Sequence, residues 1–231
     1  MPERPYTILS CGISLDGYLD AATPERLVLS NEADLQRVDT VRAESDAILV
    51  GAATVRNDNP RLLVRTPALR EERRRRGLGE SPTKVTVTES GRLDRGNNFF
   101  TTGDGEKLVY CASRAAAEVH RRLVGVATVV DAGRPVDLAD VVGDLHARGV
   151  RRLMVEGGGR IHTQFLTRDL ADELHLVVAP FFVGDARAHR FVGSGAFPWN
   201  PGNRAHLAET RQIGDVVLLR YALSHRFARV S

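Results

Sequence analysis

Short apolar runs alternate along this chain with amphipathic stretches, the pattern of βα units feeding a mostly parallel sheet. Residues 6–13 read as a first strand, and runs at 47–50, 84–87, 107–111, 127–130, 152–155 and 173–178 read as further strands. Helices are expected at 31–44, 113–123, 138–147 and 161–168. The first carries Ala33, Leu35, Val38 and Val41 at helical spacing, with Asn31 or Ser30 placed to cap it. Ser113 is the expected cap of the second. Two closing strands, 207–213 and 216–223, are joined by Gly214-Asp215 and read as an antiparallel hairpin. Residues 66–82 and 91–105 read as surface excursions.

A length of 231 residues fits one α/β domain, and 42% apolar content suffices for a sizeable core. No apolar run approaches the roughly 20 residues of a membrane helix. The opening residues lack a basic-then-apolar signal pattern, so a cytoplasmic location is expected. Cys11 and Cys111 read as free, buried thiols, and two cysteines exclude a cysteine-rich zinc site. The histidines show no metal-binding spacing, and no metal is expected; His162 and His175 read as structural. Net charge is +3, with a pI of about 9.2. Arg70-Glu-Glu-Arg-Arg-Arg-Arg76 reads as a solvated loop or helix face rather than a nucleic-acid patch, because no aromatic residues interleave to stack bases.

Three segments carry candidate chemistry. In Leu153-Met-Val-Glu-Gly-Gly-Gly-Arg160 a buried strand ends at Glu156, and Gly157, Gly158 and Gly159 open a helix whose free amides favour a pyrophosphate. It is not a full G-x-G-x-x-G, since His162 stands at the third glycine position. A turn without ligand is the bland alternative. In the segment from Val50 to Arg65, Thr54 and Asp58 would share one helical face, while Arg61 and Arg65 suit phosphate as planar donors. Ser14-Leu-Asp-Gly17 marks a turn after the first strand.

Together, Ser14-Leu-Asp-Gly17, Arg42-Ala-x-x-Asp-Ala-Ile-Leu-Val-Gly51, Thr54-x-x-x-Asp58-Asn-Pro-x-Leu-x-Val-Arg65, Val155-Glu-Gly-Gly-Gly159 and Asp172-Glu-Leu174 with Ala179-Pro180 resemble the reductase domain of bacterial riboflavin biosynthesis. The resemblance spans residues 6–223 and implies a dihydrofolate reductase-like fold: a mostly parallel central sheet with helices on both faces and the antiparallel C-terminal hairpin. It implies an NADPH-dependent reductase that converts the ribose of a ribosylamino-pyrimidine 5′-phosphate to a ribityl chain, as a homodimer. Thr54, Asp58, Thr88, Ser90 and Gly157 to Gly159 fall at cofactor positions, and Arg42, Leu62, Arg65 and Glu156 at substrate positions. Arg61 is a further phosphate candidate, and Ser113 and Arg114, at a helix start, could meet a 2′-phosphate. Glu156 and Asp16 are the candidate proton donors. Ser10 stands where many bifunctional members carry lysine, and Val28 or Leu29 where they carry tryptophan. The zinc signature of the deaminase domain often fused to this reductase is missing, so only the reduction is expected. Three rival readings are a reductase of the same fold acting on a pterin-like or secondary-metabolite substrate, a nucleotide-binding protein without turnover, and a nucleic-acid binder using the Arg70–Arg76 cluster.

Overall fold

A computed structural model describes residues 3–23 and 27–227. In chain order the elements are β1 (Tyr6–Ser14), α1 (Glu32–Glu44), β2 (Ala47–Gly51), α2 (Ala52–Asp58), α3 (Pro67–Arg75), β3 (Thr83–Thr88), α4 (Asn98–Thr101), β4 (Lys107–Cys111), α5 (Ser113–Leu123), β5 (Thr128–Asp131), α6 (Leu138–Ala147), β6 (Arg152–Gly157), α7 (Gly159–Thr167), β7 (Glu173–Ala179), β8 (His206–Ile213) and β9 (Val216–Ala222). They form two compact units, one of Met1–Pro5 with Asp39–Met154, the other of Tyr6–Val38 with Val155–Ser231. Among the described residues no helix is long and apolar enough to cross a membrane.

In the first unit the strand order is β5-β4-β3-β2, all parallel. The five residues of β2 are all buried, as a strand covered on both faces requires. Val119 and Leu123 of α5, and Leu138, Val141, Val142 and Leu145 of α6, join Ile48, Leu49, Val85, Leu108 and Val109 in its core. Asp137 caps α6 by accepting from the Ala139 amide at 2.8 Å. Ser113 does not cap α5: that position falls to Ala112, and the Ser113 hydroxyl instead donates to Asp131 at 2.7 Å.

Both expected excursions contain helix. Pro67 opens α3, where its missing amide proton costs nothing. The arginine run is only partly a solvated face. Arg73 is 2% exposed and donates from Nε to Gly79 O at 2.8 Å and from Nη1 to Ala43 O and Ser45 O at 2.8 and 2.7 Å. Arg74 pairs with Glu71 and Glu80, and Arg75 with Glu72, at the surface. In the second excursion α4 buries Phe99 and Phe100. The buried Lys84 ammonium donates to Phe99 O at 3.2 Å and Thr102 O at 2.6 Å.

In the second unit the order is β1-β7-β9-β8; β1 and β7 are parallel, and β9 is antiparallel to both β7 and β8. The closing hairpin is therefore as the Gly214-Asp215 connection predicts, with Gly214 at φ 61° in its turn. Asn31 caps α1, its Oδ1 accepting from the Asp34 amide at 3.0 Å, while its Nδ2 donates to Ile213 O and Asp215 of the hairpin turn at 2.6 and 2.7 Å. Cys11 and Cys111 are free thiols.

Candidate active site

In the first unit the parallel strands deliver their loops to one edge, the carboxyl edge, where such sheets bind ligands. There α2 starts directly from Gly51, anchored by the fully buried Val55. It carries Thr54, half-buried, and Asp58, exposed, one turn apart. The helix ends at Asn59 in the left-handed region, and Leu62 follows at φ 49° with its side chain 2% exposed. A non-glycine residue held there is strained, and burial of the leucine offsets the cost. Leu62 thus faces the core, while Arg61 is exposed.

Two residues of α1 hold the remainder of this loop. Arg42 donates to Leu63 O at 3.1 Å. Asp39, 1% exposed, accepts the amides of Arg65 and Thr66 at 2.8 and 2.7 Å. Burial works to raise the Asp39 pKa, but those amides and the Arg65 charge outweigh it and hold the carboxyl below its ordinary range. The Arg65 guanidinium, half exposed, lies 3.9 Å from the same carboxylate. Sequence reading singled out Arg42 and Arg65 but missed Asp39, which has no motif of its own.

At the end of β3, Thr88 is buried and accepts the Gly91 amide at 3.0 Å, whereas Ser90 is exposed. Between them Glu89 accepts the Val136 amide at 2.9 Å. Arg114 reaches this loop, its Nε 3.5 Å from Glu89 O. Arg56, Arg92 and Arg122 line a cavity of about 400 Å³ with Leu93, Asp94 and Asn97. Two of the three are committed to the loop itself: Arg56 donates to Arg92 O, and Arg122 to Gly91 O and Leu93 O.

In the second unit Glu156 is half-buried near the end of β6 and leads into the glycine turn. Gly157 has φ 132°, open in practice only to glycine. A side chain at Gly159 would meet Arg190 O at 2.4 Å. Gly158, at φ −74°, is in ordinary extended backbone and caps α7 with no side-chain bond. Gly157 is thus required by conformation and Gly159 by packing.

Asp16 is not placed as a proton donor. Its carboxylate accepts from the Ser14 hydroxyl at 2.5 Å and from the Val183 and Gly184 amides at 3.0 and 2.8 Å. Desolvation opposes ionisation, but the Ser14, Val183 and Gly184 bonds prevail and hold its pKa at about 2. It fastens the turn after β1 to the segment after β7.

His162 and His175, alike in sequence, differ in structure. His175 is engaged at both ring nitrogens, with Glu173 Oε1 at 2.6 Å and Arg37 Nη1 at 3.2 Å. Arginine can only donate, so Nδ1 accepts and Nε2 carries the proton toward Glu173. His162 is fully buried beneath the glycine turn, and among the described residues neither ring nitrogen has a hydrogen-bond partner.

The fold is dihydrofolate reductase-like. The chain superposes on a pyrimidine reductase-like protein of Corynebacterium diphtheriae with a TM-score of 0.78 at 21% identity, covering 94% of this chain and 91% of that one. On the dihydrofolate reductase of Enterococcus faecalis, at 10% identity, the TM-score is 0.51 over 96% of this chain and 98% of that one. The chain belongs to the RibD C-terminal domain family, whose model matches residues 5–219. Two archaeal relatives are named 2,5-diamino-6-ribosylamino-4(3H)-pyrimidinone 5′-phosphate reductase. That of Archaeoglobus fulgidus is 38% identical, covering 78% of this chain and 83% of the relative. That of Methanothermobacter thermautotrophicus is 35% identical, covering 95% and 99%. Membership makes this an oxidoreductase of the riboflavin-biosynthesis type.

Proposed function

We propose that the chain reduces a ribosylamino-pyrimidinone 5′-phosphate to the ribityl compound, taking hydride from NADPH. The observation that carries this reading is the family match over residues 5–219, joined to a glycine turn that opens α7 with Gly157 at φ 132°. When bound, the dihydronicotinamide supplies the hydride. The rest is positioning, which can lower a barrier by up to roughly 7–11 kcal/mol. Gly157 to Gly159 would let a pyrophosphate approach the uncapped N-terminus of α7. Thr54 and Asp58 would hold the cofactor from α2, with Thr88, Ser90, Ser113 and Arg114 along the neighbouring strand ends. A residue such as Arg114 would favour the 2′-phosphate and hence NADPH over NADH.

Arg42 and Arg65 would take the sugar phosphate, the second as a half-exposed fork on a loop fixed by its own backbone. As hydride reaches the sugar carbon of the ring-opened imine, the nitrogen needs a proton. Glu156 is the remaining carboxyl candidate for its delivery, directly or through water. We further read the chain as a homodimer, because edge strand β8 and its neighbour leave Leu207 46% and Val217 37% exposed, and as cytoplasmic, in keeping with a biosynthetic reductase.

The test is NADPH oxidation with 2,5-diamino-6-ribosylamino-4(3H)-pyrimidinone 5′-phosphate, beside a panel of pterins, with sedimentation at micromolar concentration. Turnover of the pyrimidinone establishes the reading; turnover of a pterin alone, or cofactor binding without turnover, overturns it.

A further inference from the structure

Arginines from three separate elements meet at the cavity of about 400 Å³ in the first unit: Arg56 from α2, Arg92 from the loop after β3, and Arg122 from α5. With Leu93, Asp94 and Asn97 completing the lining, three guanidinium groups stand against one carboxylate. Like charges gathered in one place repel unless something answers them. Arg122 is answered, by Glu118 and by the carbonyls of Gly91 and Leu93 at 3.0 and 3.3 Å. Arg56 donates to Arg92 O at 3.1 Å and, among the described residues, pairs with no carboxylate. Arg92 is exposed, and among the described residues its guanidinium makes no hydrogen bond or ion pair.

Acceptors are left over beside these donors. Asn97 stands at the N-cap of α4, where an asparagine side chain ordinarily accepts from the helix amides. Here it makes no such bond, and its Oδ1 is buried with no partner among the described residues. Asp94 accepts the Gly96 amide at Oδ1, 2.9 Å away, which leaves its second oxygen available.

The place of the cavity in the fold sets it apart from the carboxyl edge. Both α2 and α5 begin at that edge, just after β2 and β4, and run back along the sheet. Arg114 lies in the first turn of α5, and Arg122 is eight residues on, about 12 Å further along the helix axis. The cavity therefore lies on the flank of the first unit, toward the end of α5 away from Arg114.

The chemistry names a class of ligand. The positive lining disfavours a metal cation, and no aromatic ring is present to stack a base. Guanidinium forks pair with phosphate oxygens two at a time. A phosphate group alone would satisfy the arginines but leave Asp94 and Asn97 facing its oxygens; hydroxyl groups beside it would donate to both. The volume falls within the roughly 300–1,000 Å³ of small-molecule sites. We infer that this cavity binds a hydroxyl-bearing phosphate monoester, a sugar phosphate, at a site separate from the carboxyl edge. Arg56 and Arg92 take the phosphate, Asn97 and Asp94 take hydroxyls, and Arg122 holds the loop between them. The assignment stands apart from the reductase reading, which concerns the carboxyl edge.

The test follows backbone amide signals of the whole chain by NMR as inorganic phosphate, ribose or ribose 5-phosphate is added, with and without NADP+. Ribose 5-phosphate should move the amides of Leu93, Asp94 and Asn97 and bind at least about tenfold tighter than phosphate or ribose. Arg92→Ala removes a side chain that holds nothing else in place. It should melt like wild type yet bind ribose 5-phosphate about tenfold more weakly, as loss of a charge-assisted bond requires. Asn97→Leu should weaken ribose 5-phosphate and leave inorganic phosphate unchanged. Arg65→Ala, on the expected substrate loop, should leave the titration at these three amides as it is, and so should saturating NADP+. Unmoved cavity signals at millimolar ribose 5-phosphate, unaltered affinity in Arg92→Ala, or equal affinity for phosphate and ribose 5-phosphate each overturn the assignment. Displacement of ribose 5-phosphate by NADP+ would make the cavity part of the cofactor site and overturn its separateness.

Discussion

The carboxylate of Asp39 lies 2.8 Å from the backbone nitrogen of Arg65, so the arginine suited to a phosphate is positioned by its main chain, leaving the guanidinium half exposed. Asp39→Ala leaves the Arg65 and Thr66 amides without this acceptor and should cost about 1–3 kcal/mol of stability. It should also raise KM for the phosphorylated substrate with kcat less affected. Arg65→Ala should raise the same KM at least about tenfold, the loss of one charge-assisted bond, without the loss of stability. Steady-state kinetics and urea melts of both variants decide the matter. A destabilised Asp39→Ala protein with unaltered KM would separate the loop from the substrate.

The glycines of the turn should not respond alike. Gly158→Val, at φ −74°, should fold, yet block approach of a pyrophosphate and abolish cofactor binding. Gly159→Ala would place a methyl 2.4 Å from Arg190 O, forcing the 190–191 segment to shift and lowering the melting temperature. Melting curves and cofactor titrations should therefore rank the two variants in opposite orders. A stable Gly159→Ala protein would show that the segment yields freely.

Acid should weaken the second unit through Glu173. Burial opposes its ionisation, but His175, Arg220 and Tyr6 bonds hold the pKa at about 2 against an ordinary 4.5. A depressed carboxylate contributes stability above its unfolded pKa and loses it as pH falls toward the folded one. The window is therefore pH 4.5 to 2, and the contribution is roughly 3 kcal/mol. His175, which burial keeps below its ordinary pKa, adds a loss of the same sign as pH drops below 6.5. Glu173→Gln should be less stable at neutral pH and lose less on acidification, measured as unfolding free energy against pH.

Base should act on the first unit in the other direction. Burial, with help from Lys107, lowers the Lys84 pKa to about 8 from 10.5. Between those values the unfolded chain holds more protons, so stability contributed by this group rises with pH. Lys84→Met should remove the slope between pH 8 and 10 and gain about 2–3 kcal/mol at pH 7, less whatever the Phe99 and Thr102 carbonyls lose. A large destabilisation at pH 7 would mean the carbonyl bonds outweigh desolvation.

The regular elements were legible because their signals are local and redundant. The unbroken apolar run of β2 and the spacing of α6 each leave one reading. The short helices were not: α3 is dominated by charge, and α4 has four residues, too few for a period to repeat. Its two phenylalanines find their core only through tertiary packing. For the site, motif order exposed the glycine turn and the loop to Arg65. It could not separate Asp16, a fastening carboxylate, from Glu156, because both are acids at or just past the end of a strand. Nor could it separate His162 from His175; that distinction lies in which partners the fold brings within reach.

The arginine run of α3 bears on how the molecule presents itself to other charged matter. Of the five arginines in residues 70–76, Arg73 is turned inward, and Arg74 and Arg75 are answered by Glu71, Glu80 and Glu72. A pI of about 9.2 counts every guanidinium alike. A polyanion, a cation-exchange resin or a heparin bead instead meets a helix of interleaved sign. Chromatographic retention follows that local mosaic more closely than the tally of basic residues.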